Sequence, residues 1–358
     1  MIPEPEIVEM RTDDGVLLRA RRYPRPGSRP VICAHGLASN GYEFDLPLQG
    51  FRISEKLYGM GYEVWILNFR GAGHRPWRSD VKDWLHSGDQ LGIFDICSVV
   101  KEVRRRTGKA PFYIGHSFGG MALYIYLSGA VFCEAPTPHI DFEVKEAEER
   151  NNSIAGAITI ASPLSIPSND AKLSWSERIQ KGHIFQRILL WLEKKIEERI
   201  RVSPYLPIGK FSLDFGFRHP FLSALIMLSP PLMMYLWPPN MGKEACRVFG
   251  TWAGGDVSLV QILQTLRMMR EGELRTFTFG SCERLSYSLH SNNITTPLVA
   301  VAGGRDFITP RIIERGVLER VSSKRKMFIF LPECGHVDLL YRFPLRKSIE
   351  WLEESSEG

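Results

Sequence analysis

The chain of 358 residues is poor in the features that mark specialised protein classes. Its six cysteines, Cys33, Cys97, Cys133, Cys246, Cys282 and Cys334, stand far apart and form no C-x-x-C pair. That spacing argues against a zinc knuckle or dithiol redox centre and reads as free thiols in a reducing compartment. Neither sign of charge dominates, since 45 basic against 40 acidic residues leave a net charge of only +5. Arg104-Arg105-Arg106 and Lys324-Arg325-Lys326 are short clusters without interleaved aromatics, so no nucleic-acid partner is indicated. There is no glycine-rich phosphate loop, no metal-ligand cluster and no internal repeat. Ala253-Gly254-Gly255-Asp256 reads as a turn without a nucleotide fingerprint, and no cofactor is implied.

Long uninterrupted hydrophobic runs are also missing. The stretch 221–237 is strongly apolar, but Pro230 and Pro231 interrupt it. It is slightly short for a membrane span, and the prolines would break its helix, so it reads as a buried or interfacial segment. The start, Met1-Ile2-Pro3-Glu4-Pro5-Glu6, lacks a basic residue followed by an apolar run. The expected location is therefore cytoplasmic.

What is present is a globular composition, 44% hydrophobic and 24% charged, on a chain long enough to bury a core without disulfides or a structural metal. Short β-branched runs alternate with helical patterns, which predicts an α/β fold with a mostly parallel sheet flanked by helices. Residues 7–11 and 16–23 flank Asp13-Asp14-Gly15 and read as an antiparallel hairpin. Runs at 30–34, 62–68, 111–115 and 154–161 read as strands; at the first three, the lack of polar alternation fits burial on both faces. Helices are expected at 51–59, 93–107 and 345–353, and two further strands at 297–302 and 326–331.

About 130 residues between Ile160 and Pro297 break this rhythm, too many for one crossover. The segment 163–293 is read as a helical cap inserted into a core domain made of 1–162 and 294–358. Within it, 181–202 is a strong helix candidate, with Phe185, Ile188, Leu189, Leu192, Ile196 and Ile200 at helical spacing. The stripe is expected to pack the cap onto the core domain; the sharper alternative is a lid surface that meets lipid. Met227, Met233, Met234, Met268 and Met269 add adaptable apolar surface, favouring a large apolar pocket. The mostly acidic stretch 139–152 is read as an exposed excursion.

The chemistry centres on Gly115-His116-Ser117-Phe118-Gly119. A G-x-S-x-G pentapeptide is common by itself, but here it follows the strand run Pro111-Phe112-Tyr113-Ile114 and precedes a helical pattern at 121–127. That is the strand–turn–helix setting in which a serine projects above a sheet as nucleophile. Such a serine needs a histidine base and an acid to orient it, in the chain order serine, acid, histidine. Asp306, after the strand 297–302, is the expected acid, and His336, after 326–331, the expected base. Asp170 is the reserve acid, while Asp338 is too close to His336 and is read as a loop support. His35-Gly36-Leu37 ends the strand 30–34, where the fold places an oxyanion donor; the backbone N–H groups of Leu37 and Phe118 are expected to converge on the substrate oxygen. Gly36 is read as giving room to turn, and His35 as holding the loop.

These stretches, with Gly61-Tyr62-Glu63-Val64-Trp65, Asn68-Phe69-Arg70-Gly71 and the glycine Gly120, carry a resemblance. The chain resembles the α/β-hydrolase superfamily, and most of all its acid-lipase-like branch. The likeness covers the core domain and hardly touches the cap. Polyhydroxyalkanoate synthases look similar in part but carry cysteine where Ser117 stands, and dehalogenases and epoxide hydrolases carry aspartate. Gly73-His74 departs from the Gly-Ser that relatives often have, and His74 is read as a loop residue. The resemblance implies a serine esterase or lipase acting on a small-molecule acyl ester; peripheral lipid contact through the cap is the alternative that the stripe at 181–202 leaves open. The same residues would serve a thioesterase or an acyltransferase, and a non-catalytic binding protein on this fold is the remaining alternative.

Overall fold

The computed structural model describes residues 2–134, 138–166, 182–222, 237–277, 284–309 and 314–356. The chain opens with β1 (Glu6–Arg11) and β2 (Leu17–Tyr23), an antiparallel hairpin, followed by β3 (Pro30–Ala34), α1 (Ile53–Gly59) and β4 (Glu63–Asn68). Next come α2 (Cys97–Thr107), β5 (Phe112–His116), α3 (Phe118–Leu127), β6 (Ala130–Cys133), β7 (His139–Phe142), α4 (Val144–Asn152) and β8 (Gly156–Ile160). The helix expected at 93–107 is in fact two pieces, since Leu91–Ile96 is wound as a π-helix leading into α2.

After β8 the described elements are α5 (His183–Ile200), β9 (Tyr205–Leu206), α6 (Ile208–Arg218), α7 (Pro238–Trp252), β10 (Val257–Ser258) and α8 (Leu259–Glu271). The sheet then resumes with β11 (Leu298–Gly303) and β12 (Lys326–Leu331), and α9 (Leu345–Ser356) follows. The eight-stranded sheet runs β1-β2-β4-β3-β5-β8-β11-β12, parallel from β4 to β12. Strands β3, β4, β5, β8 and β11 are buried at every residue. Their side chains alternate between two cores, one on each face: Ile32, Trp65 and Leu67 enter one, Val31, Cys33 and Ile66 the other. α3 is buried at all ten positions, as its apolar composition all round requires.

The stretch 139–152 is mostly exposed, as expected, and has regular structure: β7 pairs with β6, and α4 buries Ala147, Arg150 and Asn151. Its charged composition hides this because two of the three buried side chains are polar: Asn151 Nδ2 donates to the carbonyls of Leu127, Ala147 and Asn293. The stripe on α5 is mostly half-buried, with Leu189 fully covered and Ile188 exposed. α5 packs on α8, where Arg270 pairs with Glu193 at 2.6 Å and Arg267 with Glu197 at 2.7 Å, and its stripe residue Phe185 also meets Phe307, with ring centres 6.4 Å apart.

α7 contacts the core directly. Met241, Ala245, Cys246, Val248 and Phe249 form a third apolar cluster with Leu46 and Val337, the residue after His336. Among the described residues no helix is long and apolar enough to cross a membrane. Most of 221–237, with Met227, Met233 and Met234, lies outside them, as do Asp170 and Cys282; the other five cysteines are free thiols.

Candidate active site

β5 lies in the middle of the sheet, and the chain leaves it through a turn that few residues tolerate. Ser117 has φ 50° and ψ −115°, a conformation that costs a non-glycine residue about 1–3 kcal/mol. The surrounding contacts hold it there. Ser117 N–H donates to the Ile160 carbonyl at 2.7 Å, and Tyr113 OH to the Gly119 carbonyl at 2.9 Å. The flanking glycines are required by close approach: a Cβ on Gly115 would meet Gly120 N at 2.6 Å, and one on Gly119 would strike the Ala34 carbonyl.

His336 follows β12 and Asp306 follows β11, as the strand order demands. His336 Nδ1 lies 2.9 Å from Asp306 Oδ2, and His336 Nε2 lies 2.9 Å from Ser117 Oγ. A carboxylate at Nδ1 places the proton on that nitrogen, which leaves Nε2 to accept the Ser117 hydroxyl. Asp306 and His336 are buried. Asp306 Oδ1 accepts the Ile308 and Thr309 N–H groups at 2.8 Å each, and Oδ2 accepts the Thr309 hydroxyl at 2.5 Å. Thr309 carries no sequence signal; its part follows from the tight turn after Asp306.

Leu37 and Phe118 border the same cavity as Ser117 and His336. Among the described residues neither of their backbone N–H groups has an acceptor. The Phe118 group is the first of α3, where helix geometry leaves it open. Gly36 matters for approach more than for turning, because a Cβ there would sit 3.2 Å from Ser117 Cβ and 3.3 Å from His116 Nδ1. The left-handed residue of this loop is instead Ala38, at φ 55°. His35 holds the loop: its Nδ1 donates to the Gly36 carbonyl at 2.9 Å and its Nε2 accepts the Phe69 N–H at 3.2 Å. Burial pushes this imidazole below its ordinary pKa, in keeping with a neutral ring.

Asn40, Glu43 and Asp89, which the motifs did not reveal, complete the frame together with Asp338, His74 and the turn 253–256, which read as loop and turn residues in the sequence. Asn40 Nδ2 donates to the carbonyls of Trp252 at 2.9 Å and Gly254 at 2.7 Å, and Gly255 N–H donates to Ala38 at 2.9 Å. The turn at 253–256 thus fastens the end of α7 to the loop that carries Leu37. His74 joins this contact through Nε2, 3.0 Å from the Trp252 carbonyl. Asp338 braces the loop of His336, accepting the N–H groups of Gly335 at 3.1 Å and Trp237 at 2.9 Å. Glu43 and His116 form a buried pair at 2.9 Å behind Ser117. Asp89 is fully buried and accepts Tyr287 OH at 2.8 Å and Gln264 Nε2 at 2.9 Å, which ties α8 to the core. Burial raises the pKa of Asp89, against the lowering effect of these donors.

The cavity above Ser117 measures about 560 Å³. Phe211, Phe215, Phe249, Ile262, Leu266 and Met269 line it from α6, α7 and α8, and Met121 from α3. Its walls are almost wholly apolar. Among the described residues no group of His, Cys, Asp or Glu could hold a metal ion.

A sequence profile of the alpha/beta hydrolase family matches residues 31–346. Lipase member M of Mus musculus is 23% identical over 94% of this chain and 78% of its own length. A putative lysosomal acid lipase/cholesteryl ester hydrolase of Crotalus adamanteus is 28% identical over 94% of this chain and 83% of its own. Among solved structures, the monoacylglycerol lipase of Paleococcus ferrophilus shares the fold with a TM-score of 0.55 and 17% identity, covering 94% of this chain and 98% of that one. With a match that spans most of the chain and a mostly parallel sheet that sets serine, aspartate and histidine at the ends of β5, β11 and β12, the chain belongs to the alpha/beta hydrolase family.

Proposed function

We propose that the protein is a serine esterase or lipase that cleaves esters with a bulky apolar acyl group through an acyl-enzyme on Ser117. The observation that carries this reading is the continuous relay Asp306–His336–Ser117, at 2.9 Å per step, opening into an apolar cavity. The relatives that span most of the chain are lipases by name, which supports ester hydrolysis.

In the reaction, His336 Nε2 takes the Ser117 proton as Oγ attacks the ester carbonyl. The resulting oxyanion receives the Leu37 and Phe118 N–H groups. The carbon–oxygen bond to the alcohol then breaks, and His336 returns its proton to the leaving oxygen. Water, deprotonated by His336, attacks the acyl-enzyme; the acid departs and the proton returns to Ser117. Asp306 keeps the Nδ1 proton in place throughout.

The segment 163–293 serves as the cap in this reading, because α6, α7, α8 and the turns beside them supply most of the cavity wall. Phe211 is 64% exposed while lining the cavity, so it stands at the mouth. Ile184, Trp191 and Phe217 are exposed on α5 and α6, a surface suited to contact with lipid.

The test is Ser117→Ala with p-nitrophenyl acyl esters. Hydrolysis should fall by about 10⁴-fold or more with the fold intact, and a fluorophosphonate should label Ser117 alone. Retention of most of the rate, or labelling at another residue, would overturn the assignment.

A further inference from the structure

The pair Glu43–His116 lies outside the relay, yet its contacts reach both ends of it. Glu43 sits in the 3₁₀ turn Gly41–Glu43, seven residues beyond Gly36, and is fully buried. Its Oε2 accepts the Gly36 N–H at 3.0 Å, immediately before Leu37. The same oxygen lies 2.9 Å from His116 Nδ1. The other ring nitrogen of His116, Nε2, lies 3.1 Å from the backbone carbonyl of His336. His116 itself precedes Ser117, and the Glu43 carbonyl is held in turn by Tyr341 OH at 2.9 Å.

Both nitrogens of His116 therefore face acceptors. Beside an ionised Glu43, a neutral imidazole with its one proton could satisfy only one of them; the other would set a lone pair against a lone pair in a buried site. A ring with protons on both nitrogens satisfies both. The Gly36 N–H adds a donor to Glu43, which favours its ionised form. Burial alone would lower the pKa of His116 and raise that of Glu43. Burial is the largest single effect on each, but the partner's charge, the hydrogen bond between them and the neighbouring groups together outweigh it, leaving His116 above and Glu43 below their ordinary values. The titratable groups nearby are His35, Asp306 and His336, the last with its ring centre 5.1 Å from that of His116.

We propose that Glu43 and His116 are a carboxylate–imidazolium positioning pair that clamps the Gly36–Leu37 loop and the backbone of His336 to the end of β5. The inference rests on the reading of Ser117 as nucleophile. In that reading, the pair sets the spacing between the Leu37 donor, Ser117 Oγ and His336 Nε2 without touching the substrate.

Glu43→Gln is the informative change, because it keeps the shape and loses the chemistry. One amide atom cannot both accept the Gly36 N–H and balance a charged His116. Rates are measured per active site titrated with a fluorophosphonate, so unfolded protein does not count. In E43Q, kcat should fall about 10- to 100-fold, the scale of a misplaced catalytic geometry, with KM within about threefold. Glu43→Asp, which keeps the charge but has a shorter reach, should fall between the two. In the wild-type protein, ¹⁵N spectra of the histidine side chains should show protons on both nitrogens of His116 at neutral pH.

E43Q turning over at the wild-type rate per titrated site would overturn the positioning role, and so would a single ring proton on His116. If E43Q does not fold, the wild-type spectrum together with the kcat and KM of E43D decides the question. Wild-type protein that is not labelled at Ser117 would defeat the hydrolase reading and this inference together. Labelling with unchanged E43Q turnover would defeat the inference alone.

Discussion

Thr309 Oγ1 lies 2.5 Å from Asp306 Oδ2, the same oxygen that faces His336 Nδ1 at 2.9 Å. The hydroxyl donates to the carboxylate and so fixes which lone pair is left for the imidazole. Asp306→Asn should lower kcat by about 10⁴-fold, because an amide can hold the ring in the wrong tautomer. Thr309→Val removes one hydrogen bond to a charged group, worth about 1.5–3 kcal/mol. Expressed in the transition state, that is about a 10- to 100-fold loss of kcat at nearly unchanged KM. Steady-state kinetics of the two variants checks the ranking, and a Thr309→Val enzyme with full kcat would remove Thr309 from the relay.

Two glycines near Ser117 should fail in different ways. A Cβ on Gly119 would strike the Ala34 backbone carbonyl, and strand β3 cannot yield. Gly119→Ala should therefore destabilise the protein by about 1–3 kcal/mol, visible as a lower Tm. At Gly36 the contacts would be 3.2 Å to Ser117 Cβ and 3.3 Å to His116 Nδ1, which a shift of a few tenths of an ångström relieves. Gly36→Ala should leave Tm near the wild-type value but move Leu37 N–H, lowering kcat about tenfold or more. Equal losses of Tm in the two variants would contradict this account.

The sheet was legible in the sequence because strands buried on both faces read as apolar runs, and each expected strand from 7–11 to 326–331 has its counterpart. Ser117, Asp306 and His336 could be found for the same reason: each follows such a run, and the order of serine, acid and base is fixed by the fold. Glu43 and Asn40 were not legible, since each acts through hydrogen bonds to groups distant in sequence, and Thr309 was not because its part depends on the conformation of the turn after Asp306. The partners of Asn40 at Trp252 and Gly254 lie more than 200 residues away. No local pattern reports a contact of that kind. That α8 is a partner of α5 was not legible for a related reason. An apolar stripe shows that a helix has a face to cover, and nothing about which element covers it.

The cavity makes a prediction about chain length. Each methylene of an acyl chain that leaves water for an apolar wall gains about 0.8 kcal/mol, or about fourfold in kcat/KM. Over a series of p-nitrophenyl esters kcat/KM should climb at about this rate and then level off once the cavity of about 560 Å³ is full. Leu266 lines that cavity from α8. Leu266→Trp should move the plateau to shorter chains while leaving short esters, such as the acetate, near the wild-type rate. A profile unchanged by this substitution would place the acyl chain elsewhere.

The pair Glu43–His116 should leave its mark on stability as a window of pH. The Glu43 carboxyl is held below its ordinary value of 4.5 in the folded protein, so its stabilising effect is complete above that value and is lost as pH falls through the depressed one. The His116 imidazole is held above its ordinary value of 6.5, so its effect is complete below that value and is lost as pH rises through the raised one. The two contributions are both fully present only between 4.5 and 6.5. The double variant E43Q/H116Q carries neither charge and should lack the window. Urea denaturation of both proteins at a series of pH values measures the difference between them. That difference should be largest inside the window and shrink on both sides; a difference that does not change with pH would mean that the two groups are not charged against each other in the folded protein.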